Sequence, residues 1–414
     1  MVSEVVKKSS ILKEQANALG EATTREKNEA LKKVAESLLA NFNNILKENE
    51  KDVHIAKEEG MKESLIDRLR LTEGRLQDIV DGIYTMIDLK DPVWKSNEAW
   101  TIENGLVISK MSVPLGVIGI IYESRPNVTV DAFALALKSG NCILLRGSSS
   151  AIYSNIALVK AIKEGLAKSR ISEDVIQLIE NTSRESVNEM VKLKQFIDLI
   201  IPRGGSDLIQ TVVANATVPT IETGIGNCHV VVDESAKLED AVKIVVNAKA
   251  QRPGVCNACE SVLVHKDVAK EFLPRLVKEL NGLVELRGCE KTKAIIPVKD
   301  ATEEDWAEEY LDYILAIKVV DSLEEAIDHI RIYGTKHSEA IVTENYTHAE
   351  RFLRSIDAAA VYVNASTRFT DGGVYGFGAE MGISTQKMHA RGPMGLNELV
   401  TIKYAVRGNG QIRG

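Results

Sequence analysis

This chain of 414 residues has too few cysteines, and too irregularly placed, for a disulfide framework. There are five, at positions 142, 228, 256, 259 and 289, an odd number. No apolar run approaches the roughly 20 residues that span a bilayer. The opening Met1-Val2-Ser3-Glu4-Val5-Val6-Lys7-Lys8 lacks the apolar core of a signal peptide. An excess of basic charge is missing too. The formal net charge is −8, which argues against nucleic acid or an anionic membrane as the main partner. A locally basic site for an anionic small molecule remains open. There is no internal repeat and no low-complexity segment. The expected setting is therefore cytoplasmic and reducing, with free thiols.

Hydrophobic residues make up 44% of the chain, enough for two or three domains with a large core. Residues 1–92 read as helical. Thr23-Thr24-Arg25-Glu26 is a capping-box pattern, and Leu31, Val34, Leu38, Phe42 and Ile45 follow at helical spacing. Leu76, Ile79, Val80, Ile83 and Ile87 mark a second amphipathic helix. Around Asn104-Gly105 two short apolar runs flank a hairpin signal, as in an arm with little core of its own.

From 113 to 233 strands and helices alternate. The strand candidates are Val117–Ile121, Cys142–Leu145, Val175–Ile179, Ile197–Ile201 and His229–Val232, with helices near 128–138, 151–167, 185–193 and 206–214. Such short, wholly apolar strands suit a parallel sheet covered on both faces. A second alternation has strands near 261–265, 314–319, 339–343 and 360–363 and helices near 267–280, 322–332 and 346–356. The expected class is α/β, with two doubly wound domains plus a small β arm. We expect residues 1–99 and 113–228 to form one domain and 229–370 the other. Residues 371–396 then return to the first domain, and 100–112 with 397–414 make an oligomerisation arm.

The richest stretch is Gln251-Arg252-Pro253-Gly254-Val255-Cys256-Asn257-Ala258-Cys259-Glu260, followed by an apolar strand. Pro and Gly bend the chain just before Cys256, and a thiol aimed from such a turn suits covalent catalysis. Cys256 and Cys259 form a CxxC pair, but no second CxxC or HxxxH supplies further zinc ligands. A thioredoxin-type pair would open a helix, whereas this one opens a strand. We therefore expect no metal. Arg252 is the nearest cation that would favour a thiolate. His229 and His265 suit satisfied structural histidines, although either would serve a cysteine hydrolase.

No GxGxxG follows the first strand, Gly224-Ile225-Gly226 breaks off without completing one, and there is no Walker A. The better phosphate cradle is Pro202-Arg203-Gly204-Gly205-Ser206-Asp207. There a strand ends, two glycines bare their N–H groups and Ser206 is placed to cap the next helix. A plain Gly-Gly turn would read the same way. At the strand exit Arg146-Gly147-Ser148-Ser149-Ser150, a cation and hydroxyls without an acidic neighbour suit a ribose 2′-phosphate. Glu222, in Ile221-Glu222-Thr223-Gly224, is either a surface carboxylate or one at a strand end.

Together these pieces resemble the aldehyde dehydrogenase superfamily. Pro114-Leu115-Gly116-Val117-Ile118-Gly119-Ile120-Ile121 is similar to the strand that opens its cofactor domain, and the Gly-Gly-Ser turn, the Ile-Glu-Thr-Gly segment and the cysteine loop follow in the family's order. Segment 320–341 is similar to the signature of the γ-glutamyl phosphate reductase family. So are Tyr122-Glu123-Ser124-Arg125-Pro126-Asn127-Val128 and His389-Ala390-Arg391-Gly392-Pro393-Met394-Gly395-Leu396.

That resemblance implies NADPH-dependent reduction of L-glutamyl 5-phosphate to L-glutamate 5-semialdehyde and phosphate, a step of proline biosynthesis. It implies Cys256 as nucleophile and Gly205 and Ser206 at the pyrophosphate. Arg146 falls where the superfamily usually has a lysine at the adenosine ribose, and Ser149, beside Ser148, where NAD-preferring members often have a glutamate. Glu309 matches the carboxylate at the nicotinamide ribose. The superfamily's oxyanion asparagine is replaced, so Ser124 or Asn127 would be the donor. Glu222 matches the base of hydrolytic aldehyde dehydrogenases, the main rival reading; a non-catalytic nucleotide sensor is a further one. A dianionic substrate calls for basic residues, and Arg125, Arg368 and Arg391 are the candidates. A homodimer or larger homo-oligomer, and channelling from a glutamate 5-kinase, complete the expectation.

Overall fold

The computed structural model describes residues 2–413. The chain divides into two compact units: residues 1–222, 376–382 and 394–414 in the first, 223–375 and 383–393 in the second.

The first unit opens with five helices: α1 (Glu4–Glu21), α2 (Thr24–Ala40), α3 (Phe42–Glu58), α4 (Glu63–Leu69) and α5 (Glu73–Asp88). The capping box at the start of α2 is complete: the Thr23 side chain accepts from the Glu26 N–H, and the Glu26 carboxylate accepts from the Thr23 N–H. The apolar stripe expected to run from 31 to 45 in one helix is broken at Asn41, which ends α2 and starts α3. The Asn41 amide reaches back to the Ser37 carbonyl and across to Glu164, which favours a stop there.

The hairpin joins β1 (Ser96–Thr101) to β2 (Val107–Pro114), and Gly105 supplies the positive φ of its turn (85°). Next come β3 (Val117–Tyr122), α6 (Asn127–Lys138), β4 (Cys142–Gly147), α7 (Ile152–Leu166), β5 (Ile176–Leu178), α8 (Arg184–Met190), β6 (Leu199–Arg203) and α9 (Ser206–Asn215). The strands pair in parallel in the order β5-β4-β3-β6. β3 and β4 are buried along their whole length, as the unbroken apolar runs require.

The second unit begins with β7 (Cys228–Val232), α10 (Leu238–Ala250), β8 (Cys259–His265), α11 (Lys266–Leu280), β9 (Glu285–Gly288), α12 (Glu290–Lys293) and β10 (Lys299–Asp300). It continues with β11 (Ile314–Val320), α13 (Leu323–Tyr333), β12 (Ser338–Val342), α14 (Tyr346–Ser355) and β13 (Ala360–Val363). Seven parallel strands lie in the order β10-β9-β11-β8-β7-β12-β13. Strand alternation sends Val230, Val232, Val262 and Val264 to one face, against α10 and α11. Val231, Leu263 and Ile341 go to the other, against α13 and α14. Each fully buried side chain of this kind, such as Phe272 or Phe352, contributes about 1.5–3 kcal/mol. The sheet is doubly wound.

A short pair, β14 (Ile383–Ser384) with β15 (Gly392–Pro393), is antiparallel. The last strand, β16 (Val400–Arg407), pairs antiparallel with β2 from Val400 opposite Pro114 to Arg407 opposite Val107. The terminal strand therefore has its partner in the hairpin. Trp100, Ile402, Tyr404 and Val406 stay exposed on this three-stranded arm.

Candidate active site

The cysteine loop of the second unit connects α10 to β8. Lys249, at the end of α10, is buried against Glu260 at the start of β8, which clamps both ends of the loop. Inside it the Ala258 N–H donates to the Val255 carbonyl at 3.0 Å and closes the turn. The Asn257 amide donates to the Thr370 carbonyl (2.9 Å), and the Thr367 hydroxyl donates to the Asn257 carbonyl (2.7 Å). Cys256 is only half-buried, whereas Cys142, Cys228 and Cys259 are buried. Burial pushes the Cys142 thiol up to about 12 and those of Cys228 and Cys259 well above their usual range, so these three are poor nucleophiles. The Cys228 thiol donates to the Cys256 carbonyl at 3.2 Å.

Arg368 lies on the cysteine loop. Its guanidinium donates to the side chains of Gln251 (2.8 Å) and Asn257. Burial, and then the neighbouring Arg252, hold it below the usual arginine range, while Cys256 and Asp371 act in the opposite sense. Arg368, expected at the substrate, is thus a cation within electrostatic reach of Cys256, with Arg252 close to it.

Behind the loop, Gly226 and Cys256 meet backbone to backbone. The Gly226 N–H donates to Glu309 Oε1 at 2.6 Å. Burial holds the Glu309 carboxyl above its ordinary range, with Glu308 adding to the effect and Lys249 opposing it. Asn227 is fixed by three groups of the same region. Its N–H meets the Thr335 hydroxyl (3.0 Å), and its amide donates to the carbonyls of Trp306 (2.8 Å) and Tyr333 (3.0 Å). Glu339 accepts from both the N–H and the Nδ1 of His229 (2.8 and 3.0 Å). The 320–341 signature therefore forms a buried polar frame around residues 226–229. His229 is engaged through Nδ1 by Glu339, and His265 caps α11 at the Asp267 N–H. The ligand atoms of Glu234, His265 and Asp267 lie within 4.8 Å of one another, with His265 already used as that cap.

In the first unit the carboxyl ends of β3, β4 and β6 carry the other candidates. Gly205 is the N-cap of α9 and makes no side-chain cap bond; Ser206, expected as the cap, is the first helical residue. The Gly205 N–H donates to the carboxylate of Glu123 at 3.0 Å. A Cβ on Gly204 would lie 2.6 Å from the carboxyl carbon of Glu123. The Ser124 hydroxyl lies 2.7 Å from that of Ser150 and 3.5 Å from that of Ser148, which itself lies 2.7 Å from Ser150. Ser149 opens the short turn that follows. Arg146 is buried and donates to the carbonyls of Thr182 (2.6 Å) and Ser183 (2.9 Å). The Asn127 amide donates to Asp131 (3.1 Å). Burial raises the Asp131 carboxyl to about 6 against the pull of Asn127 and Arg203. Arg125 and Glu222 are exposed. Arg391, in the second unit, is paired with Asp357 at 2.8 Å.

Within the second unit the fold thus brings Cys256, Arg368 and Glu309 together through Asn257 and Gly226. Within the first it brings Ser124 to Ser148, and Gly205 with Ser206 to Glu123. Arg391 stands apart on Asp357. Glu123, Ser150, Gly226 and Asn257 were not singled out from sequence. A dinucleotide fits the first-unit groups: two glycines shape a cradle, one exposed N–H already holds a carboxylate, and hydroxyls line the next strand exit. Among the described residues no helix is long and apolar enough to cross a membrane.

A profile of the aldehyde dehydrogenase family matches residues 4–316. The chain is 67% identical to a γ-glutamyl phosphate reductase of Alkaliphilus oremlandii over 412 residues, which covers all of both chains. It also superposes on the crystal structure of a γ-glutamyl phosphate reductase from Thermotoga maritima with a TM-score of 0.97, at 56% identity, over the whole of each chain. An acetylating aldehyde dehydrogenase from Geobacillus thermoglucosidasius shares the fold at 18% identity, with a TM-score of 0.73 over 99% of this chain and 98% of that one.

Proposed function

The chain belongs to the aldehyde dehydrogenase family and, within it, to the γ-glutamyl phosphate reductases, and from that premise we propose that it reduces L-glutamyl 5-phosphate to L-glutamate 5-semialdehyde with release of phosphate. NADPH is the reductant, and the step belongs to proline biosynthesis. The end-to-end similarity to a curated reductase carries this reading; the half-buried thiol beside Arg368 supports it.

Arg368 favours the thiolate of Cys256. The thiolate adds to the acyl carbonyl carbon, and the backbone N–H of Cys256 is the first donor to the oxyanion, worth on the order of 3 kcal/mol by comparison with other oxyanion holes. Ser124 or Asn127 would be a second donor; each holds a neighbouring side chain and would have to exchange it. The bond from carbon to the phosphate oxygen breaks, phosphate leaves, and a thioester remains on Cys256. Gly205 and Ser206 would hold the pyrophosphate, Ser148 and Ser149 the ribose phosphate with Arg146 behind them, and Glu309 the nicotinamide ribose. When bound, NADPH supplies hydride to the thioester carbonyl. The resulting alkoxide collapses to the aldehyde and returns the thiolate. Arg125 and Arg391 remain candidates for the anionic groups of the substrate.

The rival is a hydrolytic aldehyde dehydrogenase, favoured only by the retained Glu222. Reduction needs no attacking water, so Glu222 has nothing to activate in that direction. An assay of NADP reduction with the semialdehyde separates the two. Strict dependence on inorganic phosphate is expected; turnover without phosphate would establish the rival.

A homodimer or larger homo-oligomer belongs to the same proposal, supported by the exposed Trp100, Ile402, Tyr404 and Val406. A reducing cytoplasm suits a catalyst that needs a free thiol. The ready hydrolysis of acyl phosphates favours direct transfer from a glutamate 5-kinase.

A further inference from the structure

We propose that Glu123 is an internal anion seated on the pyrophosphate turn, which must give up the Gly205 N–H before the cofactor phosphates can take it, so that Glu123 sets cofactor affinity. The inference rests on the proposed role of the Gly204-Gly205-Ser206 turn in binding a dinucleotide.

The geometry is specific. Glu123 follows β3, and its own N–H donates to the Arg203 carbonyl at 3.1 Å, which extends the β3–β6 ladder by one bond. This anchors the base of the side chain beside the turn. The carboxylate then accepts from Gly205 at 3.0 Å. It lies flush against Gly204, where a Cβ would meet its carboxyl carbon at 2.6 Å and its Oε2 at 2.8 Å. The helix behind the turn has ten residues and makes no side-chain cap bond at Gly205, so the carboxylate takes the place of a missing cap. A negative group is favoured there by the helix dipole.

One N–H cannot serve a carboxylate and a pyrophosphate oxygen at once, and two anions sharing the turn repel each other. Glu123 is exposed, so its side chain has room to swing away while its backbone stays in the ladder. In the free protein it satisfies the turn; in the complex it is a displaced competitor. The charge, rather than the side-chain shape, carries the competition.

The test compares wild type, Glu123→Gln and Glu123→Ala by titrating NADPH through its nicotinamide fluorescence and by competing it off with inorganic pyrophosphate. Both variants should bind NADPH about fivefold more tightly, as expected for removing one charged cap. Pyrophosphate should displace NADPH from them at correspondingly lower concentration. Equal or weaker NADPH binding by folded variants, with unchanged circular dichroism and Tm, would overturn the inference. Ser206→Ala is the control for the underlying reading. If it weakens NADPH binding while neither Glu123 variant tightens it, the turn is the cofactor site and only the competition fails. If the wild type binds no NADPH, both readings fall.

Discussion

A Cβ on Gly226 would overlap the carbonyl group of Cys256 and lie 2.8 Å from its Cα. The same glycine gives its N–H to Glu309. One residue without a side chain therefore sets the spacing between the proposed nucleophile and the carboxylate proposed for the nicotinamide ribose.

Gly226→Ala should push the cysteine loop off its seat. Overpacking of this kind costs about 1–3 kcal/mol, read as a fall in Tm. Activity should fall further than stability, because Cys256 and Glu309 shift together. A variant with near-normal kcat and Tm would show that the loop yields without consequence.

Cys256→Ala should lower turnover on the order of a thousandfold or more and leave NADPH affinity within about twofold, since the proposed phosphate and ribose contacts lie elsewhere on the chain. Residual activity near wild type would move the chemistry to another residue.

Arg368 bears on Cys256 through charge and through its bonds to Gln251 and Asn257. Arg368→Gln should raise the pH midpoint for iodoacetamide alkylation of Cys256 by about one unit, a tenfold slower reaction near neutrality that recovers in alkali. Arg368→Lys keeps the charge and should fall between. An unshifted midpoint with slower turnover would make Arg368 a strut.

Two rings of the buried frame make the fold acid-sensitive. Burial pushes His329 down to about 3, with His229 and Lys318 adding to the effect, and His337 down to about 4. Both stay neutral in the folded protein, whereas an unfolded histidine takes a proton near pH 6.5. The stability they confer is complete above that pH and is lost as the pH falls from 6.5, toward 4 for His337 and toward 3 for His329. The expected loss is about 2 kcal/mol per ring at pH 5. Melting curves at pH 7 and pH 5 measure it. His329→Phe, which keeps a ring against Trp306 and Tyr333, should shrink the difference.

Local chemistry was legible in the sequence, and spatial coincidence was not. The Thr23–Glu26 capping box and the Asn104-Gly105 hairpin involve neighbours a few residues apart, and both form as expected. The apolar strands of both sheets were equally plain. Helix α10 escaped notice because much of its buried face is small, with Ala241 and Ala248 beside Val242 and Val245. The turn at Cys256 was visible from Pro253 and Gly254. Its partners were not, since Arg368 and Gly226 come from distant segments and look ordinary where they stand. Gly226 in particular read only as part of an incomplete nucleotide fingerprint. Glu123 lay inside a quoted motif, yet nothing in its neighbours says that its carboxylate folds back onto Gly205.

The arm sheet joins segments made far apart in time, since Val107 pairs with Arg407. During translation β2 emerges with only β1 beside it and keeps an open edge until β16 has been made. Nascent chains stalled before position 400 would carry that edge bare, ready to zip onto a neighbour's, and synthesis of β16 becomes the event that closes it.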